Sequence, residues 1–158
     1  MVKEIYLAGG CFNAAERMHN LLLEKQLQEL GYTVVLPQRR ALAFLNGDHF
    51  DLAAMAEDCK QSCTGKERVV VASIDGTHAD DGTSVELGMA IVATGRAVVY
   101  RTDFRTAEEK EAGVNAMLKV NGVVYLYHPC YLAELSKATS FYKELAAKIH
   151  TAIQSLPE

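Results

Sequence analysis

The residues with most capacity for chemistry stand in one short segment, Asp80-Asp81-Gly82-Thr83-Ser84-Val85-Glu86-Leu87-Gly88. It follows a strongly apolar run and carries three carboxylates, of which Asp80 and Glu86 could converge on one ligand. A carboxylate in a first helical turn faces the positive end of the helix dipole. That position lowers its pKa and keeps it ionised, as a carboxylate nucleophile requires. The same residues also read as a capping box, Thr83-x-x-Glu86, in which Glu86 does no more than close a helix. The cap is the commoner use of such a pattern.

Other candidates are weaker taken singly. Gly9-Gly10 could cradle a phosphate at a following helix N-terminus. It lacks the G-x-G-x-x-G spacing of a dinucleotide site, and a tight strand-to-helix turn is its commoner meaning. Asp51 and Asp58 lie in a helical stretch, where most aspartates are simply solvated. Tyr6 lies inside a strand, where tyrosine is usually core. Gln38 and Arg39 follow Pro37 and read equally as surface residues. His19, His49, His78, His128 and His150 are scattered without metal-ligand spacing. Cys11, Cys59, Cys63 and Cys130 form no C-x-x-C and suit no zinc site. Cys59 and Cys63 stand one helical turn apart, a spacing more typical of packing. No metal site is expected.

The elements that position these residues follow from apolar patterning. Strands are expected at 4–8, 33–36, 69–74, 97–100 and 123–127. Helices are expected at 14–30, 51–63, 84–94 and 131–156, with an irregular stretch at 38–50. The strands are continuous apolar runs that alternate with helices. Both sheet faces are therefore covered, and the class is an α/β fold with a central parallel sheet. Ligands in such sheets bind outside the carboxyl ends of the strands. That brings the loops 9–13, 38–48 and 75–83 to one crevice.

Composition agrees. A chain of 158 residues forms one domain, spanning 1–158, and can bury roughly 70% of its unfolded surface. With 49% apolar and 23% charged residues it is neither disordered nor of low complexity. The net charge of −4, with no basic run longer than Arg39-Arg40, argues against a nucleic-acid or membrane-surface partner. No apolar run approaches a membrane span, and no signal peptide is visible. Cysteines without a framework fit a reducing cytoplasm.

One combination is more specific than its parts. Ile5-Tyr6-Leu7-Ala8-Gly9 with Phe12, Pro37-Gln38, Asp58, Asp80-x-Gly82-Thr83-x-x-Glu86-Leu87-Gly88 and Asn115-x-Met117 follow in order over most of the chain. Together they resemble the nucleoside 2-deoxyribosyltransferase family. The resemblance implies a flavodoxin-like three-layer fold and a cofactor-independent exchange of 2-deoxyribose between purine or pyrimidine bases, with a role in nucleotide salvage. Glu86 would be the nucleophile that forms a deoxyribosyl ester, and Tyr6 the hydroxyl that orients it. Asp80 and Asp58 match acids near the base, with Asp51 as the alternative to Asp58 because the polar stretch 61–68 intervenes. Gln38 matches an amide that contacts base or nucleophile, and Gly9, Phe12 and Gly82 match substrate-contacting positions. Asn115 and Met117 match residues that reach the sugar 5′-hydroxyl in a neighbouring subunit's site. The implied partners are small 2-deoxynucleosides, free nucleobases and further copies of the chain in a homo-oligomer with shared active sites.

Three alternatives stay open on sequence. An N-glycosidase of the same superfamily would hydrolyse nucleosides or their 5′-monophosphates, holding phosphate at the first helix or at Arg39. A nucleotide-binding module would do no chemistry. In a scaffold subunit, Glu86 would only cap.

Overall fold

A computed structural model of the chain describes residues 2–105 and 114–157. Five parallel strands form the central sheet: β1 (Glu4–Ala8), β2 (Thr33–Val35), β5 (Arg68–Ser73), β6 (Ala97–Arg101) and β7 (Val123–Tyr127), in the order β2-β1-β5-β6-β7. This is the flavodoxin-like order. The connection reverses direction between β1 and β5, so the crevice at the strands' carboxyl ends opens there. In register, Tyr6 of β1 stands between Val35 and Val70.

Alternation along the strands divides the core in two. Ile5, Leu7, Val69, Val71, Val98 and Tyr100 point to one face. There they pack against Leu23 and Leu27 of α1 (Ala14–Glu29) and Leu145 and Ile149 of α5 (Ala138–Ser155). Tyr6, Ala8, Val70, Ala72 and Val99 point to the other face. They meet Cys63 of α3 (Leu52–Cys63) and Leu87 and Ala90 of α4 (Asp81–Thr94). The expected three layers, with helices on both faces, are present.

Three segments differ from expectation. The stretch expected to be irregular, 38–50, is built from short elements. Pro37 opens the one-turn helix α2 (Pro37–Arg40), its fixed φ suiting a first helical position. A 3-10 turn (Ala41–Phe44) follows, then the hairpin of β3 (Leu45–Asn46) and β4 (His49–Phe50), which reverses through Gly47 at φ 61°. The last helix begins at Ala138 rather than 131. His128 and Cys130 donate their backbone N–H groups to Arg101 and Thr102, which keeps the chain extended beyond β7. Helix α4 begins at Asp81 rather than Ser84, because Asp80 supplies its cap. Of the stretch 110–122 before β7, residues 110–113 lie outside the described residues. Asn115 caps the 3-10 turn Ala116–Lys119 by accepting from the Met117 N–H at 2.9 Å.

Candidate functional site

From the centre of β1, on the face covered by α3 and α4, the Tyr6 hydroxyl donates to Glu86 Oε1 at 2.6 Å. Strand alternation turns Tyr6 to this face, where it is almost fully buried. Glu86 is the sixth residue of α4 and lies on the flank of the helix that faces α3. It therefore does not act as the capping glutamate. Asp80 is the N-cap instead, its Oδ2 accepting from Thr83 N at 2.8 Å and Thr83 Oγ1 at 3.0 Å. Gly82 keeps this turn tight, since a Cβ there would stand 3.2 Å from Asp80 Oδ2.

The electrostatics correct one expectation. Glu86 lies beyond the first helical turn, where the dipole's influence has fallen off. Burial pushes its carboxyl above the ordinary range, hydrogen bonds from Tyr6 and Cys59 pull it back, and the nearby Asp80 charge pushes it up again. Burial, followed by the Glu86 charge, likewise raises the Tyr6 hydroxyl, so Tyr6 stays protonated and donates. The Cys59 thiol, within hydrogen-bonding reach of both, is raised by burial and is also a protonated donor. By its spacing from Cys63, Cys59 reads in the sequence as packing. Its signal was its place beside Asp58, which a single cysteine does not advertise.

Asp58, on α3, is gripped by Arg40 at the end of α2. Arg40 Nε donates to Oδ2 at 2.8 Å, and Nη2 donates to Oδ1. This pair holds the Asp58 carboxyl below the ordinary range. Asp51 has a different job, capping α3 by accepting from Ala54 N at 3.0 Å.

The β1–α1 turn forms the adjoining wall. At Gly9 a Cβ would approach the Ser73 Cβ to 3.3 Å, so a side chain there would press the turn off β5. The amide of Gln38 is buried and engaged, accepting from Asn20 Nδ2 at 3.0 Å and donating to the Arg17 carbonyl at 3.2 Å. Asn20 also donates to the Gly10 carbonyl at 3.0 Å. Gln38 thus braces the turn through Asn20. Phe12 projects from the turn with 80% of its surface exposed. The α1 N-terminus is closed by its own residues. Asn13 accepts from Glu16 N at 3.0 Å, and Glu16 Oε2 accepts from Phe12 N at 2.8 Å.

Two cavities flank these groups. One of about 860 Å³ lies over the ends of β1, β5 and β6 and is bounded by Gly10, His19, Asp75, Asp80, Asp103 and Tyr142. Another of about 360 Å³ is bounded by His78, Ser84, Gly88, Asn115 and Met117. At about 100° per residue, Ser84 and Glu86 stand about 160° apart around α4. Asn115 therefore lies against the flank of α4 opposite its own chain's Glu86, and Met117 is 72% exposed. Among the described residues no cluster of three or more His, Cys, Asp or Glu could hold a metal ion.

The chain thus brings Tyr6, Glu86 and Asp80 together, with the Asp58–Arg40 pair beside them. The family model for nucleoside 2-deoxyribosyltransferase matches residues 5–117, well over half of the sequence and inclusive of all these groups. The chain belongs to the nucleoside 2-deoxyribosyltransferase family. No curated protein matches the sequence at a significant level. Solved structures share the fold of this family member. A 2-deoxyribosyltransferase from Bacillus psychrosaccharolyticus superposes with a TM-score of 0.58 at 20% identity, over 86% of this chain and 90% of that one. A conserved protein from Enterococcus faecalis V583 gives 0.60 at 21%, over 98% of each chain. A CMP N-glycosidase from Clostridium botulinum gives 0.55 at 18%, over 94% and 98%. At these identities the likeness is one of fold.

Proposed function

We propose that this family member transfers 2-deoxyribose between nucleobases through a covalent ester on Glu86. The observation that carries the reading is the 2.6 Å hydrogen bond from Tyr6 to Glu86. It holds and orients the carboxylate through Oε1, and Oε2 attacks C1′ of a 2-deoxynucleoside. The C1′–N bond breaks, and the electron pair and a proton go to the leaving base. A nitrogen of a second base then attacks C1′, the ester C–O bond breaks to regenerate the Glu86 carboxylate, and that base gives its N–H proton to Asp80, restoring the acid that served the leaving base. Two inversions give net retention, as in retaining glycosidases. Asp80 acts on the leaving base as proton donor. Asp58, held ionised by Arg40, is a base-side acceptor rather than an acid. Phe12 is a stacking surface, and Gly9, Gly82 and Gln38 shape the turn and cap around the substrate. The whole 158-residue chain works as one catalytic domain.

A 5′-monophosphate hydrolase is the next reading, and two observations count against it. The α1 N-terminus is filled by Glu16 and Asn13, and Arg39 is committed to Glu24, with Nη2 to Oε2 at 2.6 Å. The two places the sequence suggested for phosphate are thus engaged, which favours a free 5′-hydroxyl.

The site is shared between copies of the chain, with Asn115 and Met117 reaching the partner's sugar. Support comes from α4. Beyond Asp81 at the helix start, its outward stripe, Val85, Gly88, Met89 and Val92, has no charged residue, and Val92 is 90% exposed. A helix apolar on both its inner and outer faces is made to be covered on both.

Incubation with deoxyinosine, with and without adenine, tests the reading. Exchange requires deoxyadenosine to appear only when adenine is present. Release of hypoxanthine without acceptor would make the protein a hydrolase, and no turnover would make it a binding module.

A further inference from the structure

The Asn115 amide has a fixed orientation. Its Oδ1 accepts from the Met117 N–H at 2.9 Å, so the oxygen is turned to the chain's own backbone. Nδ2 stands at the other end, and among the described residues nothing accepts from it. An amide nitrogen has donors and no acceptor. What Asn115 offers a ligand there is therefore an N–H, which recognises the lone pairs of an oxygen and needs no proton on it.

Asn115 stands at the edge of the cavity of about 360 Å³ between α4 and the 3-10 turn Ala116–Lys119. The inner wall is apolar, with Leu87 buried and Ala79 and Leu118 half-buried. Helix α4 contributes Gly88, where an added Cβ would meet nothing within 4 Å. Among the described residues no Lys, Arg, Asp or Glu lines this cavity. Its other polar side chains are His78 and Ser84, and Ser84 Oγ donates to the Asp80 carbonyl at 3.0 Å. The volume falls within the range of small-molecule sites. A hydroxyl is about the size of a water, about 30 Å³, and leaves most of it open.

We infer that the sugar 5′ side of the site takes 2-deoxynucleosides with an uncharged, apolar substituent on the 5′-oxygen and rejects 5′-phosphates. An ether oxygen keeps its lone pairs for Asn115 Nδ2, and its substituent passes over Gly88 onto Leu87 and Leu118. A phosphate would bring negative charge to a wall without lysine or arginine, and an unpaired buried charge is costly. The inference rests on the proposed reading that Asn115 attends the partner's sugar, and it names the donors that reading admits.

The test is calorimetric binding to the Glu86→Ala protein, in which no ester forms. The ligands are 2′-deoxyinosine, its 5′-O-benzyl ether and its 5′-monophosphate. The ether should bind at least as tightly as deoxyinosine, and the monophosphate about tenfold or more weakly. Leu118→Phe narrows the cavity, so it should weaken the ether about tenfold and leave deoxyinosine nearly unchanged. Ala79→Leu narrows it from the loop side, should act the same way, and decides the matter if Leu118→Phe does not fold. Equal effects of both variants on ether and deoxyinosine, or a monophosphate bound as tightly as deoxyinosine, would overturn the inference. Rejection of the ether, with deoxyinosine bound and weakened by Asn115→Ala, would overturn it and leave the shared site standing. Indifference of both ligands to Asn115→Ala would overturn the shared site and the inference with it. Exchange to adenine by the protein with Glu86 intact is the second readout, and the ether should serve as donor about as well as deoxyinosine. Absence of exchange from every donor would defeat the proposed transferase and leave the binding comparison to decide the cavity.

Discussion

Tyr6 and Glu86, eighty residues apart in sequence, meet through a 2.6 Å hydrogen bond between the centre of β1 and the second turn of α4. The contact joins two opposed demands. Burial favours a neutral Glu86, whereas nucleophilic attack needs the carboxylate. The Tyr6 and Cys59 donors stabilise the charged form and reduce that conflict.

Replacing Glu86 therefore separates chemistry from folding. Glu86→Ala should lose nearly all exchange while remaining folded, because no helix cap is removed with it. Retention of more than a tenth of wild-type exchange would sink the nucleophile. Mass spectrometry of wild type with a deoxynucleoside and no acceptor should find a deoxyribosyl adduct on the peptide that contains Glu86.

The donors set the acid limb of the pH profile. Tyr6→Phe removes the 2.6 Å hydrogen bond to the carboxylate, so the Glu86 pKa should rise further. The acid limb of kcat/KM should then move to higher pH. Cys59→Ala should move it the same way by less, and Cys59→Ser should restore much of the wild-type limb. An unchanged limb in Tyr6→Phe would mean that the bond does not tune Glu86.

A raised pKa also has a stability consequence of definite sign. The folded protein holds the Glu86 proton more tightly than the unfolded chain does. Its stabilising contribution is full below the unfolded pKa and is lost as pH rises through the folded value. Glu86→Gln, permanently neutral, should therefore match wild type in acid and melt higher at neutral pH. A gain of ~1 kcal/mol would move Tm by about 2–4 °C at this chain length. Thermal melts at pH 4 and pH 8 check it, and equal differences at the two pH values would refute it.

Asp58 behaves oppositely. Arg40 holds it below the ordinary range, so it is ionised wherever the enzyme works. Asp58→Asn should raise KM for the base and leave the basic limb of the pH profile in place. Asp80→Asn should instead slow poor leaving bases most. If Asp58→Asn removes the basic limb, Asp58 is the acid after all.

How much of this was legible beforehand follows from what each element looks like alone. The sheet strands announce themselves because Val69-Val70-Val71-Ala72 and its counterparts are apolar on both faces. Helix α2 and the hairpin do not, since two to four residues leave no period to read and much of their surface is exposed. The motif located Glu86, but not its electrostatics. Direction of a pKa shift depends on burial and on donors from β1 and α3, which only folding brings together. Thr83 reads as a cap because Thr83-x-x-Glu86 fits a capping box, but Asp80, three residues earlier, takes that role in the folded chain. Arg40 carried no signal, since an arginine gains meaning only from the carboxylate it meets.

Assembly offers the last test. Asn115 lies on the flank of α4 away from its own Glu86, and beyond Asp81 the outward stripe of α4 is uncharged. A symmetric interface across that stripe would let each copy lend Asn115 and Met117 to its partner. Glu86→Ala supplies Asn115 without a nucleophile, and Asn115→Ala supplies the nucleophile without Asn115. Mixed under conditions that let subunits exchange, the two inactive proteins should form some interfaces with one intact site. Activity should then rise above that of either variant alone, and Val92→Glu, which places a charge in the stripe, should weaken both association and exchange. A fully active monomer on a sizing column, or a mixture that gains nothing after proven subunit exchange, would confine Asn115 to its local role of capping the 3-10 turn.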